Sequence, residues 1–260
     1  MVAAPCARFQ LVRGPARKLG RGRPFNEIVS RHEGQMIVDL SQVFHDGMPG
    51  VLFRSESGPN IELTARIRPF MTHAQSCQHY DGKASFEITE ATFQSSVGTK
   101  LDAPRHRYEG AADIASIALD RLILDGVVID ARYAGPRQEV GWTDLQFPTN
   151  LAGRAVLVNF GWDRHWGTDV YRSHPFVSRE VVTNLCDAGI ALFGVDCSNV
   201  DSTNDAERPA HTLFLKQSIL IVENLTGLHK LQGRPFRFFS IPLRARDAAA
   251  FPVRAFAEIE

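Results

Sequence analysis

The chain has 260 residues, 44% of them hydrophobic, and its 29 Lys plus Arg are matched by 29 Asp plus Glu. That length suffices for one large α/β domain, and the zero net charge leaves no basic footprint for nucleic acid. No apolar run approaches the ~20 residues that span a bilayer, so no membrane partner is expected; four cysteines without a C-x-x-C pair read as reduced thiols of a cytoplasmic protein.

Residues 1–30 are rich in Arg, Lys, Gly and Pro and lack the apolar stretch of a secretory signal, which predicts a flexible N-terminal arm. Residues 31–260 show no repeat or composition break and are expected to form one domain. In chain order, runs rich in β-branched and aromatic residues predict strands over 36–40, 61–67, 86–93, 124–129, 155–160, 190–195, 219–222 and 236–241. Alternation over 61–67 and 86–93 implies one wet face, whereas uninterrupted runs such as LVNF and ILIV imply cover on both faces. Between them, 111–119 carries a weak helical pattern. A clearer helix starts at Ser178 as N-cap, with Glu180 in its first turn, Val181, Leu185 and Ala188 on one face, and Gly189 to end it. The result is a mixed central sheet with flanking helices.

No nucleophile elbow, Walker loop, dinucleotide fingerprint or H-E-x-x-H helix is present. What carries chemistry is a set of polar residues placed among apolar runs, where a buried charge is costly unless compensated. In SSVGTKLDAPRH, residues 95–106, Pro104 pushes Ala103 toward extended backbone, so Lys100 and Asp102 belong to a strand end or loop. Gly98 permits the close approach that such a bend needs. A solvated loop with an Asp turn reads equally well. Further on, His211 and Glu223 flank an apolar segment, AHTLFLKQSILIVENL, as a metal site or as a paired core histidine and glutamate. Asp102, His211 and Glu223 together would suit Zn²⁺ or Mn²⁺.

SSVGTKLDAPRH resembles the H-x-G-T-H-x-D-x-P-x-H motif of the cyclase family of metal-dependent hydrolases, which includes kynurenine formamidase and isatin hydrolase. The segments IVDLSQVFHDGMPG, VNFGWDRHW, SHPFVS, GVDCSNVDS, HTLFLKQSILIVENLTGL and PVRAFA follow the family's order over most of the chain beyond residue 36. The resemblance implies a swivelling β/α/β domain, commonly a homodimer or higher oligomer. It also implies two metals between the first two motif histidines, the aspartate, and the later histidine and glutamate. Here Ser96 and Lys100 stand in the two histidine positions, while Asp102, His106, His211 and Glu223 remain. Lysine offers donors only, so one divalent ion at most is expected, with Lys100 replacing the charge of the other.

These readings lead to a hydrolase acting on the C–N or C–O bond of a small cyclic amide, ester or acylated amine. His106 would move the proton, and Lys100 and Ser96 would stabilise the oxyanion. His45, Trp162 and Trp166 are expected to border the small-molecule substrate. Two alternatives stay open: a metal-independent cyclase, dehydratase or lyase using His106 and a Lys100 of lowered pKa, and a non-catalytic small-molecule binder.

Overall fold

The computed structural model describes residues 29–32, 35–53 and 61–259. All but the last two positions of the expected arm over 1–30 lie outside them, as does Cys6. The chain opens with the hairpin β1 (Val29–His32) and β2 (Gln35–Asp39), followed by the pair β3 (Pro49–Phe53) and β4 (Ile61–Thr64). A ribbon of β5 (Arg66–Met71) and β6 (Ile88–Thr92) encloses the short helix α1 (His73–Cys77). Then come β7 (Lys100–Asp102), β8 (Ile123–Asp130), β9 (Glu139–Val140), β10 (Ala155–Asn159) and β11 (Phe176–Val177). The remainder is α2 (Arg179–Asp187), β12 (Leu192–Val195), α3 (Pro209–Lys216), β13 (Leu220–Glu223), β14 (Phe236–Pro242) and β15 (Ala250–Ile259).

Nine strands form one mixed sheet in the order β1-β2-β15-β14-β8-β10-β12-β13-β7. The sheet curls because β15 is shared. Its residues from Val253 onward pair with β14, while Ala250 to Pro252 pair with β7 at the opposite end of the order, which closes a barrel. β8, β10, β12 and β13 run parallel; β10, β12 and β13 are wholly buried, as the uninterrupted apolar runs implied, whereas β8 is only partly covered. Alternate residues face two cores. Leu101, Leu157, Val222, Phe238 and Ala255 fill one, and Val156, Val158, Phe193, Val195 and Ile221 meet α2 and α3 in the other.

The mixed α/β architecture agrees with the expectation, and α2 starts at the Ser178 cap, whose side chain accepts from Val181 N. Two elements differ. The expected strand over 61–67 divides at Ala65, whose N–H and C=O bond Met48 O and Gly47 N, so β4 and β5 are separate. The helical pattern over 111–119 forms no α-helix. Asp113 accepts from Ser116 N and Ser116 Oγ, closing a single 3₁₀ turn, and Ile117 and Ala118 are extended. Among the described residues no helix is long and apolar enough to cross a membrane.

Candidate active site

β7 and β13 pair antiparallel with Glu223 opposite Lys100 and Ile221 opposite Asp102. Residues two apart on a strand share a face, so Lys100, Asp102 and Glu223 project together onto the face covered by α3. The Lys100 ammonium lies 2.8 Å from Asp102 Oδ1, 2.6 Å from Asp102 Oδ2 and 2.8 Å from Glu223 Oε2. Those contacts occupy its three hydrogens. This corrects the expected role of Lys100: its donors face two carboxylates and leave none for a substrate oxyanion. Burial pulls its pKa down, but attraction to Asp102 and then Glu223, with hydrogen bonds to both, lifts it to about 12. That direction is opposite to the lowered pKa that a lysine base needs.

His211 comes from the first turn of α3. Its Nε2 is 3.6 Å from Asp102 Oδ2 and 3.5 Å from Glu223 Oε1, so the three separated residues expected to meet do meet. Its Nδ1 lies 2.6 Å from Asp201 Oδ2. The Asp201 carboxylate also accepts from Ala210 N at 2.7 Å and His211 N at 3.0 Å, capping two helix-start N–H groups. Asp201 is thus the group that orients the imidazole. Burial lowers the His211 pKa, but hydrogen bonds to Asp102 and Asp201 and the field of Glu223 raise it to about 9. For Asp102, burial is outweighed by Lys100 and the two histidines, leaving its carboxyl well below the usual range.

His106 stands at the mouth, its side chain 32% exposed, with Nδ1 4.0 Å from Asp102 Oδ1 and its ring 5.6 Å from that of His211. Burial depresses its pKa more than Asp102 raises it, so the ring is neutral at neutral pH.

Asp102, His106 and His211 offer ligand atoms within 4.8 Å of one another. A carboxylate and two imidazoles suit one divalent ion. The donor expected in place of His106 was Glu223, but its Oε2 holds Lys100 and its Oε1 accepts from Val200 N at 3.0 Å. A second ion does not fit, since the Lys100 ammonium occupies the carboxylate pair.

Other expected residues are dispersed. Ser96 is half-buried in the turn before Gly98, and among the described residues no hydrogen bond joins it to the cluster. Gly98 has φ +66°, and a Cβ there would lie 3.2 Å from Met48 Sδ, so the loop carrying His45 packs onto this turn. His45 itself is exposed and its Nδ1 meets Asp46 O at 2.8 Å. Trp166 packs between this corner and the main core, edge-on to Tyr171 at 5.0 Å. Trp162 does not border an open pocket: it is 1% exposed and its indole N–H donates to Tyr171 O. Asn224, at φ +61°, accepts from Tyr171 Oη and donates to Gly98 O, tying the end of β13 to the turn before Lys100.

The Cyclase family model matches residues 38–202. The chain belongs to the cyclase family. This family member is 29% identical over 220 residues to a kynurenine formamidase of Erythrobacter litoralis, covering 84% of this chain and 92% of that one. It is 27% identical over 176 residues to a kynurenine formamidase of Bordetella avium, covering 65% and 78%. Among solved structures, isatin hydrolase A from Ralstonia solanacearum superposes with a TM-score of 0.71 at 22% identity over 87% of this chain and 92% of that one. Isatin hydrolase A from Labrenzia aggregata gives 0.72 at 19% identity over 86% and 94%. At those identities the superpositions establish a shared fold.

Proposed function

We propose that this cyclase-family chain is a small-molecule hydrolase that opens the C–N or C–O bond of a cyclic amide, ester or acylated amine, with one divalent ion at most. The observation that carries this reading is a neutral, part-exposed His106 at the mouth of a buried cluster of Asp102, His211, Lys100 and Glu223. His106 takes the proton of the attacking water and returns it to the leaving nitrogen or oxygen. Asp201 holds the His211 Nδ1–H, keeping Nε2 turned to the cluster. Lys100 holds Asp102 and Glu223 in place and supplies the positive charge that a second ion would bring. An ion held by Asp102, His211 and His106 would supply Lewis-acid polarisation and acidify water, with His106 then serving as a ligand.

Charge balance supports a site that accepts an ion but does not require one. Without it, Lys100, Arg208 and a protonated His211 balance Asp102, Glu223 and Asp201. An ion displaces the His211 proton.

The same balance favours a second reading, ion-free cyclisation or elimination, in which His106 alone moves the proton because Lys100 stays charged. The test is metal content of protein purified without chelator, with turnover of isatin, an N-formyl arylamine and a lactone panel before and after EDTA. Hydrolysis lost in His106→Ala supports the enzyme reading. A folded protein inert toward the whole panel defeats hydrolysis. Turnover insensitive to EDTA, with no stoichiometric metal, removes the ion. We also place the substrate in the corner bounded by Trp166 and the His45 loop, and expect the chain to act as a cytoplasmic homo-oligomer.

A further inference from the structure

β8 and β10 run parallel and end side by side, with Asp130 opposite Asn159. Just beyond these ends lies a cavity of about 380 Å³ that shares no lining residue with the cluster of Lys100, Asp102, His106, His211 and Glu223. The chain leaves β10 through a tight turn at Gly161, whose φ is +63°. Buried side chains take each N–H of that turn: Asp196 accepts from Phe160 and Trp162, and Asn159 Oδ1 accepts from Gly161 at 3.0 Å. Glycine is required here twice over. Its angle disfavours a side chain, and a Cβ would lie 3.2 Å from Arg132 Cγ and 3.4 Å from Arg164 Nη1, so two arginines close over one residue.

Donors outnumber acceptors on the wall of this cavity. Asp130 takes Arg132 Nε and Nη2 at 2.8 and 2.6 Å, which leaves Nη1 without a partner among the described residues. Arg164 meets His165 through Nε alone, and among the described residues nothing bonds its two Nη groups or the exposed ring of His229, which also lines the cavity. Asn159 is 1% exposed, and its Nδ2 is buried with no partner. Against these donors the wall sets one carboxylate, Asp163, whose Oδ2 is filled by Thr226 Oγ1 at 2.8 Å and Gly227 N at 2.9 Å. Buried polar groups are nearly always satisfied, so an unpaired amide beside two converging arginines points to an acceptor-rich ligand.

We infer that this cavity binds a tetrahedral oxyanion, either inorganic phosphate or the phosphoryl group of a small ester. The donors come from four segments: the exit of β8, the end of β10, and the 3₁₀ turns Trp162–His165 and Leu228–Leu231. That spread suits the three acceptor oxygens of a phosphoryl group better than the single plane of a carboxylate. Occupancy of this site does not depend on the hydrolase reading.

The test is calorimetric titration of the full chain at fixed ionic strength with inorganic phosphate, phenyl phosphate and benzoate, before and after EDTA. Wild type is expected to bind a phosphoryl probe at least ~10-fold more tightly than benzoate. Arg164→Gln removes one charge-assisted partner and weakens phosphoryl binding at least ~10-fold with Tm unchanged, because this exposed arginine holds no carboxylate. Asn159→Asp keeps an oxygen for Gly161 N but turns a donor into an anion, so binding is lost; if that variant fails to fold, Arg164→Gln alone decides. Arg154→Gln, at the opposite end of β10 and outside this cavity, leaves the affinity at the wild-type value. Tighter binding of phenyl phosphate than of inorganic phosphate assigns the ester, and the reverse order assigns the free ion. No binding up to ~10 mM, benzoate bound as tightly as phosphate, or affinity that survives Arg164→Gln overturns the site. Affinity that EDTA removes and Arg164→Gln spares overturns it as well, assigning the anion to a metal at the Asp102 cluster.

Discussion

Replacing Lys100 with methionine keeps most of the side-chain volume and deletes the charge. In the native protein its ammonium contacts Asp102 and Glu223 at 2.6–2.8 Å, and those side chains are 0% and 2% exposed. Removing one member of such a buried set leaves two carboxylates facing each other without water, a loss on the order of 3–5 kcal/mol. For a domain of this size, 1 kcal/mol corresponds to ~2–4 °C in Tm, so a drop of about 6–20 °C is expected at pH 7. The deficit depends on pH with a definite sign. In wild type the Asp102 pKa is lowered, so its contribution is present above the unfolded value and lost as pH falls through the folded one. In Lys100→Met the largest cause of that lowering is gone, leaving only the histidines to oppose burial, so the Asp102 pKa rises and the variant gains relative stability as acid protonates the carboxyl. Urea denaturation of both proteins at pH 7 and pH 5 should show the gap closing toward acid. Excess Zn²⁺ should restore part of the loss at pH 7, about 2.7 kcal/mol when free ion is 100 times its Kd. A variant within ~1 kcal/mol of wild type at pH 7 would refute the view that this amine compensates the carboxylate pair.

His106→Ala should lower kcat by roughly 10²–10⁴ with native Tm, and the wild-type rate should fall on an acid limb below the ordinary histidine pKa of 6.5 as His106 gains its proton; an unchanged profile in a folded variant contradicts its role. His211 has a folded pKa of about 9 against 6.5 unfolded, so its contribution to stability is full below pH 6.5 and lost as pH rises through about 9. Chelated protein should therefore lose Tm across that window, and His211→Gln should flatten the curve. Zn²⁺ uptake should release a proton at pH 7 and tighten with rising pH, measured by titration in two buffers of different ionisation enthalpy. Ser96→His combined with Lys100→His should raise metal content from at most one ion per chain toward two, measured by elemental analysis.

Much of the barrel was legible because its strands are apolar runs whose burial needs no knowledge of partners. The strand expected over 155–160 is β10 within one residue, and the Ser178 cap marks the start of α2. Legibility failed where a single local contact redirects the backbone, as the Asp113 side chain does in stopping a helix and the Ala65 backbone does in splitting a strand. α3 was missed because its start is a donor-only residue followed by proline, and its cap comes from Asp201 in a preceding loop. At the site, the identities of Lys100, Asp102, His106, His211 and Glu223 were readable. Their wiring was not: which partner takes each ammonium hydrogen depends on the register of β7 against β13, and no spacing encodes that.

The shared strand β15 has a consequence for how the molecule is made. β7 is three residues long, and one of its two edges is completed only by Ala250 to Pro252. On a ribosome, roughly 150 residues of chain separate the emergence of the lysine-bearing segment from that of its last neighbour. Until β13 and then β15 emerge, Lys100 and Asp102 sit on a strand with neither edge completed, so the charged cluster assembles late in biosynthesis.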